Sequence, residues 1–153
     1  MSSNNNYYKV VTRIEEVFDN NPTVNTIIYA RSENSDIFKN TVYPMVHINP
    51  DVTPWVNSAS NVFSFEIGVL NQRIQDNRIE DTKIDGDTNV LDNHNTCYAI
   101  INDFLTIMGN DNGDGIYVDI VGDLQPIFFD NFNGLDGWSF NITLKIMNEI
   151  DVC

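Results

Sequence analysis

The sequence predicts an α+β fold: a mostly antiparallel sheet packed against two amphipathic helices, with long loops. Three observations predict it. Two stretches, near residues 7–18 and 90–108, carry apolar residues at helical spacing. Several others alternate apolar and polar residues with period two, as half-buried strands do. The order along the chain is helix, strands, helix, strands, which two helices laid on one sheet would satisfy.

Residues 1–6 are polar and read as a disordered tail. Tyr7, Val10, Val11, Ile14, Val17 and Phe18 then form a helical stripe, with Lys9, Arg13, Glu15, Glu16 and Asp19 on the other face. "DNNP" stops this helix at Pro22. "VNTIIYA" (24–30) is a short β-rich run. "VYPMVHI" resumes an extended pattern, in which Pro44 points to an edge or a bulge. "VFSFEIGVL" follows, with Phe63, Phe65, Ile67 and Val69 on one face and Ser64, Glu66 and Gly68 on the other.

The second helical stripe takes Val90, Leu91, His94, Cys97, Tyr98, Ile101, Phe104, Leu105 and Met108. Asp87 or Thr88 suits its N-cap, and Gly109 stands where a C-cap glycine belongs. "GIYVDIV", "QPIFFD" and "GWSFNITLKIMN" close the chain as strands. In the last, Trp138, Phe140, Ile142, Leu144 and Ile146 alternate with Ser139, Asn141, Thr143 and Lys145.

A length of 153 residues fits a single domain, 1–153, and an apolar content of 42% is enough for a core. Lys and Arg number 8 against 22 Asp and Glu, a formal net charge of −14. Such a surface repels nucleic acid and anionic lipid. No apolar run approaches the roughly 20 residues of a bilayer-spanning helix. "MSSNNNYYKV" has no apolar h-region, so a soluble protein made in a cytosol is expected. Two cysteines, Cys97 and Cys153, are too few for a disulfide scaffold and read as free thiols.

"NDNGDGIY" (110–117) opens like an EF-hand calcium loop, with Asn110, Asn112, Asp114 and Gly115 at positions 1, 3, 5 and 6. Position 12, which needs a bidentate Glu, is Val121, and a strand follows where a second helix is required. The segment therefore reads as a turn between helix and strand. Asp85 and Asp87 around Gly86 read as a solvated turn beside a helix N-terminus. His47 and His94 are not in metal-ligand spacing with each other or with the cysteines. "GNDNGDG" carries acid where an anion cradle needs Lys. No nucleophile elbow or Cys/His signature is present. The expected catalytic, cofactor and metal residues are therefore none, and the chain reads as non-enzymatic. The "NIT" sequon at 141–143 falls in a predicted strand and is set aside.

Three long stretches remain, 31–42, 49–61 and 71–89. Long loops in a compact domain are commonly functional or disordered. Trp55 stands apolar in a polar setting, either a protein-contact anchor or a residue tucked onto its own core.

The blocks "YPMVHINPDV", "VFSFEIGVLNQR", "VLDNHNTCYAIINDF" and "IFFDNFNGLDGWSFNITLKIMNEIDVC", after an amphipathic opening helix, span about residues 7–153. In their order they resemble neck and tail-ring proteins of phages that infect Bacteroidales, including the crAss-like phages. The resemblance implies a tail-terminator-like fold, a sheet flanked by helices, assembled into a homo-oligomeric ring. It implies a virion structural role in the neck or tail, as tail terminator or head-tail joining protein. Assembly would take place in the host cytoplasm, against other neck, portal or tail proteins and without a membrane. DNA would pass an acidic lumen without specific binding, since like charge offers no counterion-release gain.

Within such a ring, the 71–89 stretch is expected to touch the neighbouring subunit. Ile74, Ile79 and Ile84 would be buried there, and Arg78 and Lys83 would pair with acidic residues at the rim, with Trp55 as a further contact. The alternatives are a small acidic binding protein or inhibitor that mimics nucleic acid, and an enzyme whose site is assembled only in space.

Overall fold

The computed structural model of the chain describes residues 5–31, 41–50, 55–56 (backbone), 60–73, 89–110, 113–128 and 134–147. They form an α+β fold with the predicted order of elements. Helix α1 (Asn6–Asp19) leads into β1 (Thr26–Tyr29), β2 (Met45–Pro50), β3 (Trp55–Val56) and β4 (Ser60–Gln72). Helix α2 (Val90–Met108) is followed by β5 (Ile116–Val121), β6 (Gln125–Ile127) and β7 (Leu135–Met147).

The described strands make one sheet in the order β1-β2-β4-β7-β5, with β3 also on β4 and β6 also on β7. Only β1 with β2 is parallel; the other pairings are antiparallel. The spine is β4 with β7, in unbroken register from Ser60↔Met147 to Gln72↔Leu135. That register puts Phe63, Phe65, Ile67 and Val69 opposite Leu144, Ile142, Phe140 and Trp138, so the two predicted apolar faces are one face.

Both helices lie on that face. Val10, Ile14, Val17 and Phe18 of α1 and Cys97, Ile100, Ile101 and Phe104 of α2 join it in a single buried cluster. Phe18 stacks on Phe104 with ring centroids 4.2 Å apart, which fixes the two helices against each other. The other face carries the exposed Glu66 and Asn141 at its middle. At one end it has a smaller apolar cluster of Met45, Leu70 and Leu135.

Gly137 sets how closely β7 approaches β4. A Cβ there would lie 1.9 Å from the Val69 carbonyl oxygen, so no other residue fits without moving the backbone.

Several expectations need correction. Asn6 begins α1 and is buried, so it belongs to the fold and not to a tail. Pro44 precedes β2, which lies between β1 and β4, so it marks neither an edge nor a bulge. The 49–61 stretch is not one long loop: β2 runs to Pro50, β3 pairs Trp55 and Val56 with β4, and β4 begins at Ser60.

The N-cap position of α2 is Asn89, and Gly109 caps its end in the ordinary right-handed region. Asp87 and Thr88 lie outside the described residues. The stripe of α2 is also rotated from the expected one. Asn93, Cys97, Ile100, Ile101, Phe104 and Met108 face the core, whereas Leu91 is 77% and Tyr98 52% exposed. Positions 91 and 98 are a heptad apart, on one flank of the helix, roughly 100° round from the 97–101–104–108 line.

Candidate functional site

The expected subunit contacts Ile74, Arg78, Ile79, Lys83 and Ile84 lie outside the described residues, as does the side chain of Trp55, whose backbone is in β3. What the structure describes is the root from which the 74–88 stretch departs. Arg73 follows the last residue of β4, and its backbone N–H donates to the Gly134 carbonyl at 2.9 Å.

The Arg73 guanidinium grips Asp136 at two points. Nε donates to Oδ2 at 2.9 Å and Nη2 to Oδ1 at 2.7 Å. The Asp136 side chain is 0% exposed and that of Arg73 13%. Asp136 lies in β7 on the helix-facing side, two residues before Trp138, where a lone carboxylate would be costly. The fork-to-fork geometry offsets that cost and fixes direction as well as distance.

Asparagines extend the pair into the helix. Asn71 Nδ2 donates to Asn93 Oδ1 at 3.0 Å, and Asn93 Nδ2 donates to the Gln72 carbonyl at 3.1 Å. Asn93 Nδ2 also lies 3.4 Å from Asp136 Oδ2, and Asn89 Nδ2 lies 3.4 Å from the Gln72 carbonyl. One network thus ties the end of β4, the start of α2 and the start of β7. Cys97 packs below it, its Sγ 3.9 Å from the Asp136 carbonyl oxygen. Burial, and then the charge of Asp136, push the Cys97 thiol up to about 12, so it is inert as a nucleophile near neutrality.

An aromatic group flanks the network. Trp138 Nε1 donates to the His94 carbonyl at 2.9 Å, and His94 Nε2 lies 2.9 Å from the Ile127 carbonyl oxygen. His94 meets the exposed Phe128 edge to face at 4.6 Å. The imidazole is therefore engaged in holding β6 against α2.

Elsewhere, Asp114 is used in its own turn. Its Oδ1 accepts the Ile116 N–H at 3.1 Å, and its Oδ2 lies 3.3 Å from Arg13 Nε. Gly113 and Gly115 on either side hold φ of 72° and 76°, a conformation that favours glycine. Residues 113–116 thus turn into β5 with Asp114 facing Arg13, while Asp111 and Asn112 of the segment lie outside the described residues. Among the described residues, no group of three His, Cys, Asp or Glu side chains is placed to hold a metal ion. A groove of about 350 Å³ opens where the end of α1 meets α2, over the Phe18 and Phe104 rings. Its one titratable lining residue is Asp103.

These arrangements position structure; they do not bring a nucleophile to a base. The Arg73–Asp136 clamp escaped the sequence, although one signal was available. Asp136 falls on the same alternating register as Trp138 and Phe140, and a carboxylate on a core-facing register needs a partner. No protein-family model and no curated protein matches the chain.

Proposed function

We propose that this chain is a structural subunit of an oligomeric ring in a phage neck or tail, in a tail-terminator or head-tail joining role, through which DNA passes. The observation that carries the reading is the ordered set of sequence blocks that resembles that family. The fold agrees with it: two helices on one face of a mostly antiparallel sheet.

The clamp supplies a physical reason for the 74–88 stretch to act at a joint. A contact segment is better aimed at a neighbour when its root is fixed. Arg73, held by Asp136 and by the Gly134 carbonyl, is such a root. Ile74, Ile79 and Ile84 then supply apolar contact to a neighbour, and Arg78 and Lys83 supply register. Deleting residues 74–84 tests this. A folded protein that stays monomeric, by circular dichroism and light scattering, is the expected result. Rings of unchanged size would remove this stretch from the joint.

The net charge of −14 favours one other reading, a small acidic mimic of nucleic acid. Size separates the two, since a mimic has no need to assemble.

A further inference from the structure

The two sides of the sheet end differently. On one side the last strand is β1; on the other, β5 and β6 lie along β7 with no described strand beyond them. On β5, Tyr117, Ile120 and Val121 are exposed, Ile120 by 61%, and Met147 of the adjoining β7 is exposed at the Gly115 end of that strand. An edge strand with this much bare apolar surface is a pairing template that monomeric proteins ordinarily blunt.

Charge divides the two edges. Residues 113–128, which contain β5 and β6, hold Asp114, Asp119 and Asp123 and no Lys or Arg. Asp119 and Asp123 are exposed, and Asp119 is the extra residue where the register slips between Val118 and Ile120. Residues 20–31, which contain β1, hold no acid at all and end on the exposed Arg31, in a chain of net charge −14. A β5 edge paired with another β5 edge would set these aspartates against each other. A β1 edge brings none.

Strand direction fits the same pairing. β5 and β4 both run antiparallel to β7, so they share a direction. β2 runs against β4, and β1 runs with β2. β5 and β1 therefore run oppositely, and a second copy continuing the sheet in the same sense presents β1 antiparallel to β5. The faces match too. Ile28 of β1 packs with the cluster on the face away from the helices, and Ile120 pairs with Thr143 on that same face.

We infer that the outer edge of β5 pairs antiparallel with the outer edge of β1 from a second copy of this chain, so that the sheet continues across the subunit joint. This inference rests on the ring reading, and it adds the two sheet edges to the 74–88 stretch as parts of the joint. The contact is heterologous, β5 to β1 and never like to like, which is the kind that closes into rings. The exposed Asp119 at the bulge disfavours acidic partners and accepts the acid-free β1 edge.

The test uses the full chain. Ile120→Lys with Val121→Lys places two charges on exposed positions of β5. The expected result is loss of the wild-type assembly to monomer with an unchanged circular dichroism spectrum. As a second measurement, Ile120→Cys and Thr26→Cys proteins, each with Cys153→Ser, are mixed and treated with a short bismaleimide. The expected product joins the two different variants, with no product from Ile120→Cys alone. Wild-type-sized assemblies from the double-lysine variant overturn the edge pairing and leave the ring reading standing. An Ile120→Cys homodimer does the same, since it means a two-fold joint through β5. A wild-type chain that is monomeric at high concentration overturns both.

Discussion

Replacing Arg73 by alanine takes the guanidinium away from the buried Asp136 carboxylate. The side chain of Asp136 is fully buried, and the two guanidinium bonds at 2.9 and 2.7 Å would be lost together. The Asn93 amide, 3.4 Å away, is too long a contact to replace them. Breaking a buried pair from one side costs about 3–5 kcal/mol, because the remaining carboxylate keeps its burial and loses its cation. For a domain of this length that is a fall in melting temperature of roughly 6–20 °C. Asp136→Asn should cost less, about 1–3 kcal/mol, the range for a buried group losing its hydrogen-bond partner. The Arg73 side chain is 13% exposed against 0% for Asp136, so the cation left behind is the less buried member of the pair. The order of the two variants is therefore the diagnostic result. Urea melts at one fixed protein concentration would measure it, read as a shift of midpoint at constant slope. An Arg73→Ala loss below about 1 kcal/mol would mean that the pair does not anchor the sheet. An Asp136→Asn loss larger than that of Arg73→Ala would refute the burial asymmetry on which the estimate rests.

Three further outcomes follow from burial. Phe140 is 2% exposed and lies between the α2 and β4 contacts, so Phe140→Ala should cost about 3–5 kcal/mol in the same melts. The Cys97 thiol, held by burial at about 12 against an ordinary 9, contributes stability that is complete below pH 9 and is lost as pH rises toward 12. Across that window the wild type should lose stability relative to Cys97→Ala by up to about 1.4 kcal/mol per pH unit, and a constant difference would contradict it. Iodoacetamide at neutral pH should label Cys97 only after denaturation, as peptide mapping would report.

Much of the sheet could be read in advance because its spine obeys a simple period. β4 and β7 each place five or six alternating side chains on one face, and Phe65, Ile67, Phe140 and Ile142 are buried as their spacing demands. Helix α1 is nearly as plain, since Lys9, Arg13, Glu15, Glu16 and Asp19 lie off its core line, but Tyr7, placed on the apolar stripe, is 38% exposed. In α2 the exposed residues include Leu91 and Tyr98 beside Asp92 and Asp103, so hydrophobicity no longer marks the buried side, and the buried Asn93 carries no apolar signal. Strand β3 is two residues long and is defined by its partner β4, which no local pattern reveals. The Arg73–Asp136 clamp joins residues 63 positions apart, and only the β4–β7 register brings them together. Register also decides which edges are open, which local composition alone does not show.

The most direct measurement is the mass and shape of the full-length purified protein, by light scattering and negative-stain electron microscopy. The ring reading predicts a closed, many-subunit annulus of uniform size, matching a layer of density in the neck or tail of the phage particle. A protein that stays monomeric at high concentration, with no annulus in any field, would contradict it.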